Sequence, residues 1–289
     1  MHMKLLKMKL LKRILIIIGI LAVLVLSLFL INEKNNSTVF VTRYTYAHSE
    51  IPASFTGYRI LMVSDMHEAP FADQIISHIK HLEPDMIVFT GDMAQLPDKS
   101  IRETSKIAKA VKNIPMYGVT GNHETQSDSY DEIIATMWGH NIIPLDNDSV
   151  CIEKDGESFL LLGIKDPGSN EVSKDELEKI RADIERQFPD GPCFSILLSH
   201  RADLYPEIKD TSADLILSGH IHGGVMRLPI VGGVVGKSGN WFPDYEYGVY
   251  KDKNGADMIV SGGCDKNPEK KRYFNPPEIV LITLKREDV

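Results

Sequence analysis

Ile60-Leu61-Met62-Val63-Ser64-Asp65-Met66-His67 is an apolar run that stops at two metal-capable side chains one residue apart. A run of about five residues rich in Ile, Val and Leu reads as a strand buried on both faces. The same design recurs four times downstream. Met86-Ile87-Val88-Phe89-Thr90 runs into Gly91-Asp92, and Met116-Tyr117-Gly118-Val119-Thr120 into Gly121-Asn122-His123-Glu124. Ser195-Ile196-Leu197-Leu198-Ser199 ends at His200, and Leu215-Ile216-Leu217-Ser218 at Gly219-His220-Ile221-His222. In layered α/β proteins functional groups gather beyond the carboxyl ends of such strands. Five stops of this kind describe one site.

Two divalent ions about 3.5–4 Å apart need a shared anionic oxygen between them. Asp92 is the natural bridge, because the glycine before it lets the chain turn sharply at the strand end. Asp65 and His67 alternate around one residue, so an extended backbone would point both the same way, and His220 and His222 repeat that spacing. Asn122 adds an amide oxygen and His200 an imidazole. Such donors suit Mn, Fe, Zn or Co rather than a calcium cage, and the lack of cysteine among them argues against a structural zinc knot. Simpler roles exist for each residue alone: Asp65 could cap a helix near Pro70, and Asp92 could merely turn the chain. They do not explain the joint order. The remaining histidines follow the simpler pattern. His78 and His81 fall on the polar side of a helix over Phe71–Leu82 whose core face is Phe71, Ile75, Ile79 and Leu82, and His2, His48 and His140 stand in no metal spacing.

Asp65-x-His67, Gly91-Asp92, Gly121-Asn122-His123-Glu124, His200 and Gly219-His220-x-His222 resemble, in order, the five motifs of the calcineurin-like metallophosphoesterases, over roughly residues 58–284. The bacterial membrane-associated subgroup is similar also in Gly223-Gly224 and in Pro276-Pro277-Glu278 before the last strand. The resemblance implies a four-layer α/β/β/α sandwich of two mixed β-sheets flanked by helices. It implies Asp65, His67, Asp92 and His222 on a first metal, and Asp92 (bridging), Asn122, His200 and His220 on a second, with manganese favoured. His123 would sit close to the metals without binding them, as the catalytic general acid or a transition-state stabiliser, backed by Glu124. The implied activity is hydrolysis of phosphate esters by in-line attack of a metal-bridged hydroxide. Two rival readings are a pyrophosphatase acting on nucleotide-linked or lipid-linked substrates and a non-catalytic scaffold that keeps the fold. A phosphorylated small molecule, a lipid or a cell-envelope component would be the substrate. Two positions depart from the family pattern: Gln95 replaces a frequent acid, and Arg201 follows His200 where the subgroup commonly has Asn-Pro. Arg201 reads as a phosphate contact or a solvated arginine.

Ile14–Ile31 is an uncharged stretch of 18 residues. At about 1.5 Å per residue it spans roughly 27 Å, close to the hydrocarbon thickness of a bilayer. Lys4, Lys7, Lys9, Lys12 and Arg13 precede it without an acid, which by the positive-inside rule keeps the N-terminus cytoplasmic and the catalytic domain outside. The run is longer than a signal-peptide core and exits through Asn32-Glu33-Lys34 with no small-residue cleavage pattern. The expectation is a single-pass cell-membrane protein: basic tail 1–13, anchor 14–31, linker and outer strand 32–50, and metallophosphoesterase domain 51–289. Beyond the anchor the balance is 27 basic against 40 acidic residues. That excludes nucleic acid as a partner held by cationic contacts, and leaves membrane proximity to the helix.

The three cysteines, Cys151, Cys193 and Cys264, are an odd number at irregular spacing, which does not suggest a disulfide framework. Cys264 reads as a small buried or loop thiol. Asn32–Thr38 reads as a polar linker and Val39–Tyr46 as an outer strand. Ser100…Glu103 and Ser173…Glu176 read as capping boxes opening helices that reach about Lys112 and Phe188. A helix over Asp128–Trp138 should stop at Gly139. Val150–Glu153 and Ser158–Gly163 flank Lys154-Asp155-Gly156-Glu157, a hairpin signal. From Val225 onward strands and Gly/Pro turns dominate. Strands alternating with helices, then strands, fit two packed sheets with helices outside, without internal repeat or second domain.

Overall fold

The computed structural model describes residues 2–96, 100–169, 171–189, 193–228, 230–236, 240–266 and 271–287, with side chains from Met8 onward. The helices are α1 (His2–Asn35), α2 (Ala72–Leu82), α3 (Arg102–Ala110), α4 (Asn122–Thr125), α5 (Tyr130–Gly139), α6 (Lys174–Glu185) and α7 (Tyr205–Ile208). The strands are β1 (Phe40–His48), β2 (Arg59–Val63), β3 (Met86–Thr90), β4 (Met116–Val119), β5 (Ile142–Pro144), β6 (Ser149–Lys154), β7 (Glu157–Gly163), β8 (Ser195–Arg201), β9 (Leu215–Gly219), β10 (Met226–Leu228), β11 (Gly232–Val235), β12 (Gly248–Tyr250), β13 (Asp257–Val260) and β14 (Glu278–Arg286).

One six-stranded sheet runs β1-β14-β2-β3-β4-β5 and another β12-β13-β9-β8-β7-β6. Both are mixed: β14 is antiparallel to β2, and β2, β3, β4 and β5 are parallel; β7, β8, β9 and β13 are parallel between antiparallel edges β6 and β12. Strand periodicity sorts the core into layers. Ile60, Met62, Met86 and Val88 face Phe159, Leu161, Ile196 and Leu217 between the sheets. Their neighbours Leu61, Val63, Ile87 and Phe89 pack outward on Ile75, Ile79, Ile107 and Met137 of α2, α3 and α5. Leu197, Ile216 and Met258 pack on Ile180, Ile184 and Ile208 of α6 and α7. The expected four-layer sandwich is what forms, and the runs that stop at metal-capable residues are its central strands.

Several local expectations change in detail. Ser100 and Glu103 do not close a capping box. Glu103 accepts the N–H of Ala72 at the start of α2 (3.1 Å) and Ser100 donates to Glu68 (3.2 Å), so inter-element partners win over the local pair. Ser173 and Glu176 do close one. Helix α3 ends at Ala110 and α6 at Glu185, each a little early, and Gly139 is the last residue of α5 rather than its stop. The β6–β7 hairpin turns through Asp155 and Gly156 at φ 51° and 81°, the left-handed pair that a two-residue loop requires.

Among the described residues, α1 is the one helix long and apolar enough to cross a membrane. Its side chains are exposed from Met8 to Ile31 and become buried at Asn32. The polar segment expected as a linker is instead the helix's docked foot. Asn32 donates to the Arg272 carbonyl (3.0 Å) and accepts the Phe274 N–H (2.8 Å), and Asn36 donates to the same carbonyl (2.7 Å). Glu33 pairs with Lys271 at 3.1 Å. Short amide side chains here satisfy the backbone of the chain leading into β14. Strand β1 then pairs with β14 over its nine residues as the sheet's edge.

Candidate metal centre

The ends of β2, β3 and β4 from one sheet and of β8 and β9 from the other bring Asp65, His67, Asp92, Asn122, His200, His220 and His222 together. Donor atoms of Asp65, His67, Asp92 and His222 lie within 4.8 Å of one another, and so do those of Asp92, His200 and His220. Asp92 belongs to both groups. His67 Nε2 stands 3.5 Å and His200 Nε2 3.3 Å from Asp92 Oδ2, and His222 Nε2 is 3.2 Å from Asp65 Oδ1. Asn122 Oδ1 is 3.3 Å from His200 Nε2, which is 3.2 Å from His220 Nδ1. The structure thus brings all seven side chains expected as ligands together.

How the side chains are aimed differs from the expectation. Asp65, His67, Asp92, His220 and His222 have φ between 44° and 73°. They are left-handed rather than extended, so each strand ends in a sharp bend that turns its donor back over the sheet edge. The bends need bare backbone beside them: a Cβ on Gly219 would lie 2.0 Å from Ser64 Oγ and 2.3 Å from Asp65 Oδ2.

The imidazoles are oriented from behind. His200 donates from Nδ1 to the Thr90 carbonyl (2.8 Å), leaving Nε2 toward Asp92. His222 Nδ1 stands 3.1 Å from Asp265 Oδ1, and Asp265 is held by the Arg272 guanidinium, with Nε at 2.6 Å. A carboxylate behind a histidine fixes its tautomer and raises its basicity. Asn275 donates to the carbonyls of His222 (2.7 Å) and Gly224. Sequence reasoning missed Asp265, Arg272 and Asn275, although Met258-Ile259-Val260 running out to Asp265 is a sixth apolar run ending at an acid. Glu124 is fully buried and accepts the N–H groups of Asp92 (2.9 Å), Ala94 (2.6 Å) and Gly121 (2.7 Å), so it ties the β3 and β4 loops together.

His123 shares the mouth. Its Nδ1 accepts the Leu96 N–H (3.2 Å), so in the neutral ring the proton sits on Nε2, which lies 4.0 Å from Asp92 Oδ2. Arg201 is buried rather than solvated, and donates to Asp203 and to the Ser169 carbonyl. Gln95 donates to the Leu96 carbonyl (3.0 Å). The Cys264 thiol is buried and bonded to the Glu278 carbonyl (2.9 Å), while its backbone N–H reaches the Ser64 carbonyl (3.0 Å).

The electrostatics fit cations. Burial alone would raise the carboxyls of Asp65 and Asp92; the imidazoles of His222 and His200 beside them outweigh it and hold both below the usual carboxylate range. Burial would lower His200, but Asp92 and Asp65 push it up to about 10. Burial takes His67 down to about 3, a neutral ring with a lone pair to offer, and burial together with Asp92 raises Glu124 to about 7. A fully buried carboxylate pair surrounded by converging imidazole nitrogens at 3.2–3.5 Å needs positive charge in its middle. The mixed carboxylate, imidazole and amide donors are those of transition-metal sites.

Residues 58–263 match the sequence model described as calcineurin-like phosphoesterase. The chain is 28% identical over 257 residues to the uncharacterized metallophosphoesterase YkuE of Bacillus subtilis, covering 84% of this chain and 85% of that protein. It is 26% identical over 275 residues to the uncharacterized metallophosphoesterase Cj0846 of Campylobacter jejuni, covering 92% and 69%. A transmembrane protein with metallophosphoesterase domain from Bos taurus is 29% identical over 192 residues, covering 60% of this chain and 42% of that protein.

Proposed function

The chain belongs to the calcineurin-like phosphoesterase family and is a metal-dependent phosphoric ester hydrolase; from that premise we propose that it works with two divalent ions on a substrate met outside the cytoplasm, held there by its N-terminal helix. The carrying observation is the pair of donor groups that share Asp92. Asp65, His67, Asp92 and His222 would hold one ion, and Asp92, Asn122, His200 and His220 the other, with manganese the ion to try first. When bound, such ions supply charge for the phosphate oxygens and lower the pKa of a water toward neutrality.

The remaining work belongs to the chain. His123 presents an Nε2 proton at the mouth, placed to pass to the leaving oxygen. Asp265 and Arg272 hold the His222 ring in one tautomer, and Glu124 fixes the spacing between Asp92 and Asn122. Buried Asp65 and Asp92 leave the phosphate's charge to be met by the ions, since Arg201 is engaged elsewhere.

Support for the anchor is the exposed apolar surface of α1 and a relative whose name places such a domain in a transmembrane protein. Five basic residues ahead of the apolar run favour a cytoplasmic N-terminus, with residues 1–13 as tail and 14–31 as span. The substrate class is a phosphorylated small molecule, lipid or cell-envelope component. The test is elemental analysis of the purified full chain after Mn²⁺ loading, with turnover of a phosphate monoester, a diester and a nucleotide pyrophosphate measured in parallel. Two ions per chain and hydrolysis abolished by chelation are expected. One ion or none, or chelator-resistant hydrolysis, overturns the reading.

A further inference from the structure

The chain that leaves the metal centre through Gly223-Gly224 builds a small apron beside the foot of α1. Met226 bridges Tyr273, β10 pairs with β11, and Val235 bridges Trp241. Backbone hydrogen bonds sew the array together: Arg227 N–H to Tyr273 carbonyl (2.9 Å), Tyr273 N–H to Val225 carbonyl (2.9 Å), and Phe242 N–H to Val234 carbonyl (3.0 Å). The Phe274 N–H then ends on Asn32 of α1. Four neighbouring segments at strand spacing extend the apron about 15 Å sideways from the helix foot.

Its surface is apolar where it is most exposed. Leu228, Ile230 and Val231 form the hairpin tip, Trp241 and Phe242 flank it at 70% and 61% exposure, and Phe274 lies next to the helix. The stretches Leu228–Gly232 and Asn240–Pro243 carry no charge. Exposed apolar groups gathered this way mark an interaction site. Three observations single out a bilayer as the occupant. The apron is hydrogen-bonded to the first buried residue after the membrane-length run, so it starts at the level where α1 leaves the apolar phase. Two of its exposed rings, Trp241 and Tyr273, are of the kinds enriched at membrane interfaces. Finally, the exposed stretches Leu228–Gly232 and Asn240–Pro243 hold no ionised side chain, so seating them in an apolar phase leaves no charge to desolvate.

We propose that the apron formed by β10, β11, Trp241-Phe242 and Tyr273-Phe274 is a second membrane contact, dipping into the interface of the bilayer that α1 spans and so setting the metal centre at a defined distance from it. This rests on the anchor reading of α1. The chain has two tryptophans, Trp138 and Trp241, both exposed. The experiment places the full chain in phosphatidylcholine nanodiscs with or without lipid brominated in the upper acyl chain and reads tryptophan emission. Trp138→Phe leaves Trp241 as reporter, Trp241→Phe leaves Trp138, and Phe29→Trp in a chain lacking both reports on the anchor. Bromolipid should quench Trp241 and the Phe29→Trp reporter several-fold more than Trp138. A quenched Phe29→Trp reporter with Trp241 no more quenched than Trp138 overturns the apron contact and leaves the anchor standing. An unquenched Phe29→Trp reporter overturns the anchor itself. Blue-shifted but unquenched Trp241 emission means a protein covers the patch, a second copy included, and also overturns the proposal.

Discussion

Asp65, His67, Asp92, His220 and His222 sit on left-handed backbone, a conformation that costs an L-residue roughly 1–2 kcal/mol and that Asp tolerates better than His. These side chains are therefore held where the chain alone would not leave them, and ions bound there, as proposed, would offset that cost. An ion at ~100 times its dissociation constant adds about 2.7 kcal/mol to the folded state. Chelating both should lower Tm by about 10–20 °C for a domain of this size, as differential scanning calorimetry with and without chelator would show. Asp92→Ala or Asn122→Ala should abolish turnover by dismantling a metal position. His123→Gln should keep both ions and reduce kcat by ~10²–10⁴; elemental analysis beside kinetics separates the two outcomes, and loss of the ions from the His123 variant would refute its role as a proton donor. Asp265→Asn should weaken one ion's affinity ~10–100-fold with the other unchanged, measured by competition with a chelator. That these side chains converge was legible in the sequence because each follows an apolar run. Their backbone was not: spacing of one residue is equally compatible with an extended strand and with a bend, and only the packing of Gly219 on Asp65 decides between them.

At the level of elements, the paired glycines Gly219 and Gly139 make a controlled comparison. A methyl on Gly219 would collide with Ser64 and Asp65, whereas one on Gly139 meets nothing within 4 Å. Gly219→Ala should lose metal and lower Tm, and Gly139→Ala, at the end of α5, should raise stability by up to about 1 kcal/mol; thermal melts of the two variants against the parent read this directly. The central strands and the face of α2 were legible because burial on both faces and a period of 3.6 leave unmistakable patterns, with Ile75 and Ile79 buried as expected. The insertion of β14 between β1 and β2 was not legible, since pairing partners more than two hundred residues apart leave no local mark. The same reason hid Asp265, and it misled the reading of Ser100 and Glu103, whose capping pattern is real but whose carboxylate found a partner on another helix.

For the whole molecule, the foot of α1 belongs to the catalytic domain as much as to the apolar helix above it. A chain starting at Asn35 should remain soluble and take up two ions, but it lacks both hydrogen bonds of the buried Asn32 side chain. At about 1 kcal/mol each, their loss should lower Tm by roughly 4–8 °C relative to a chain that begins at Asn32. Protease added to intact cells, or to spheroplasts where an outer layer intervenes, should digest the domain; protection until the membrane is lysed would reverse the topology. The apolar helix itself was legible from composition, while its continuation to Asn35 was not, because Asn32, Glu33 and Asn36 look like linker until their partners at Arg272, Lys271 and Phe274 are seen.

That docked foot has a consequence for how the enzyme finds its substrate. A helix joined by a flexible leash would let the domain sweep a hemisphere and sample the aqueous space in every direction. Asn32 and Asn36 on the Arg272 carbonyl, with Glu33 on Lys271, replace the leash with a bracket. With α1 in a bilayer, as proposed, the centre would stand at one height and one tilt, and its encounters would become a search in the plane of the membrane. Molecules that diffuse in that plane would be met again and again, whereas those dissolved in the bulk would have to diffuse to it.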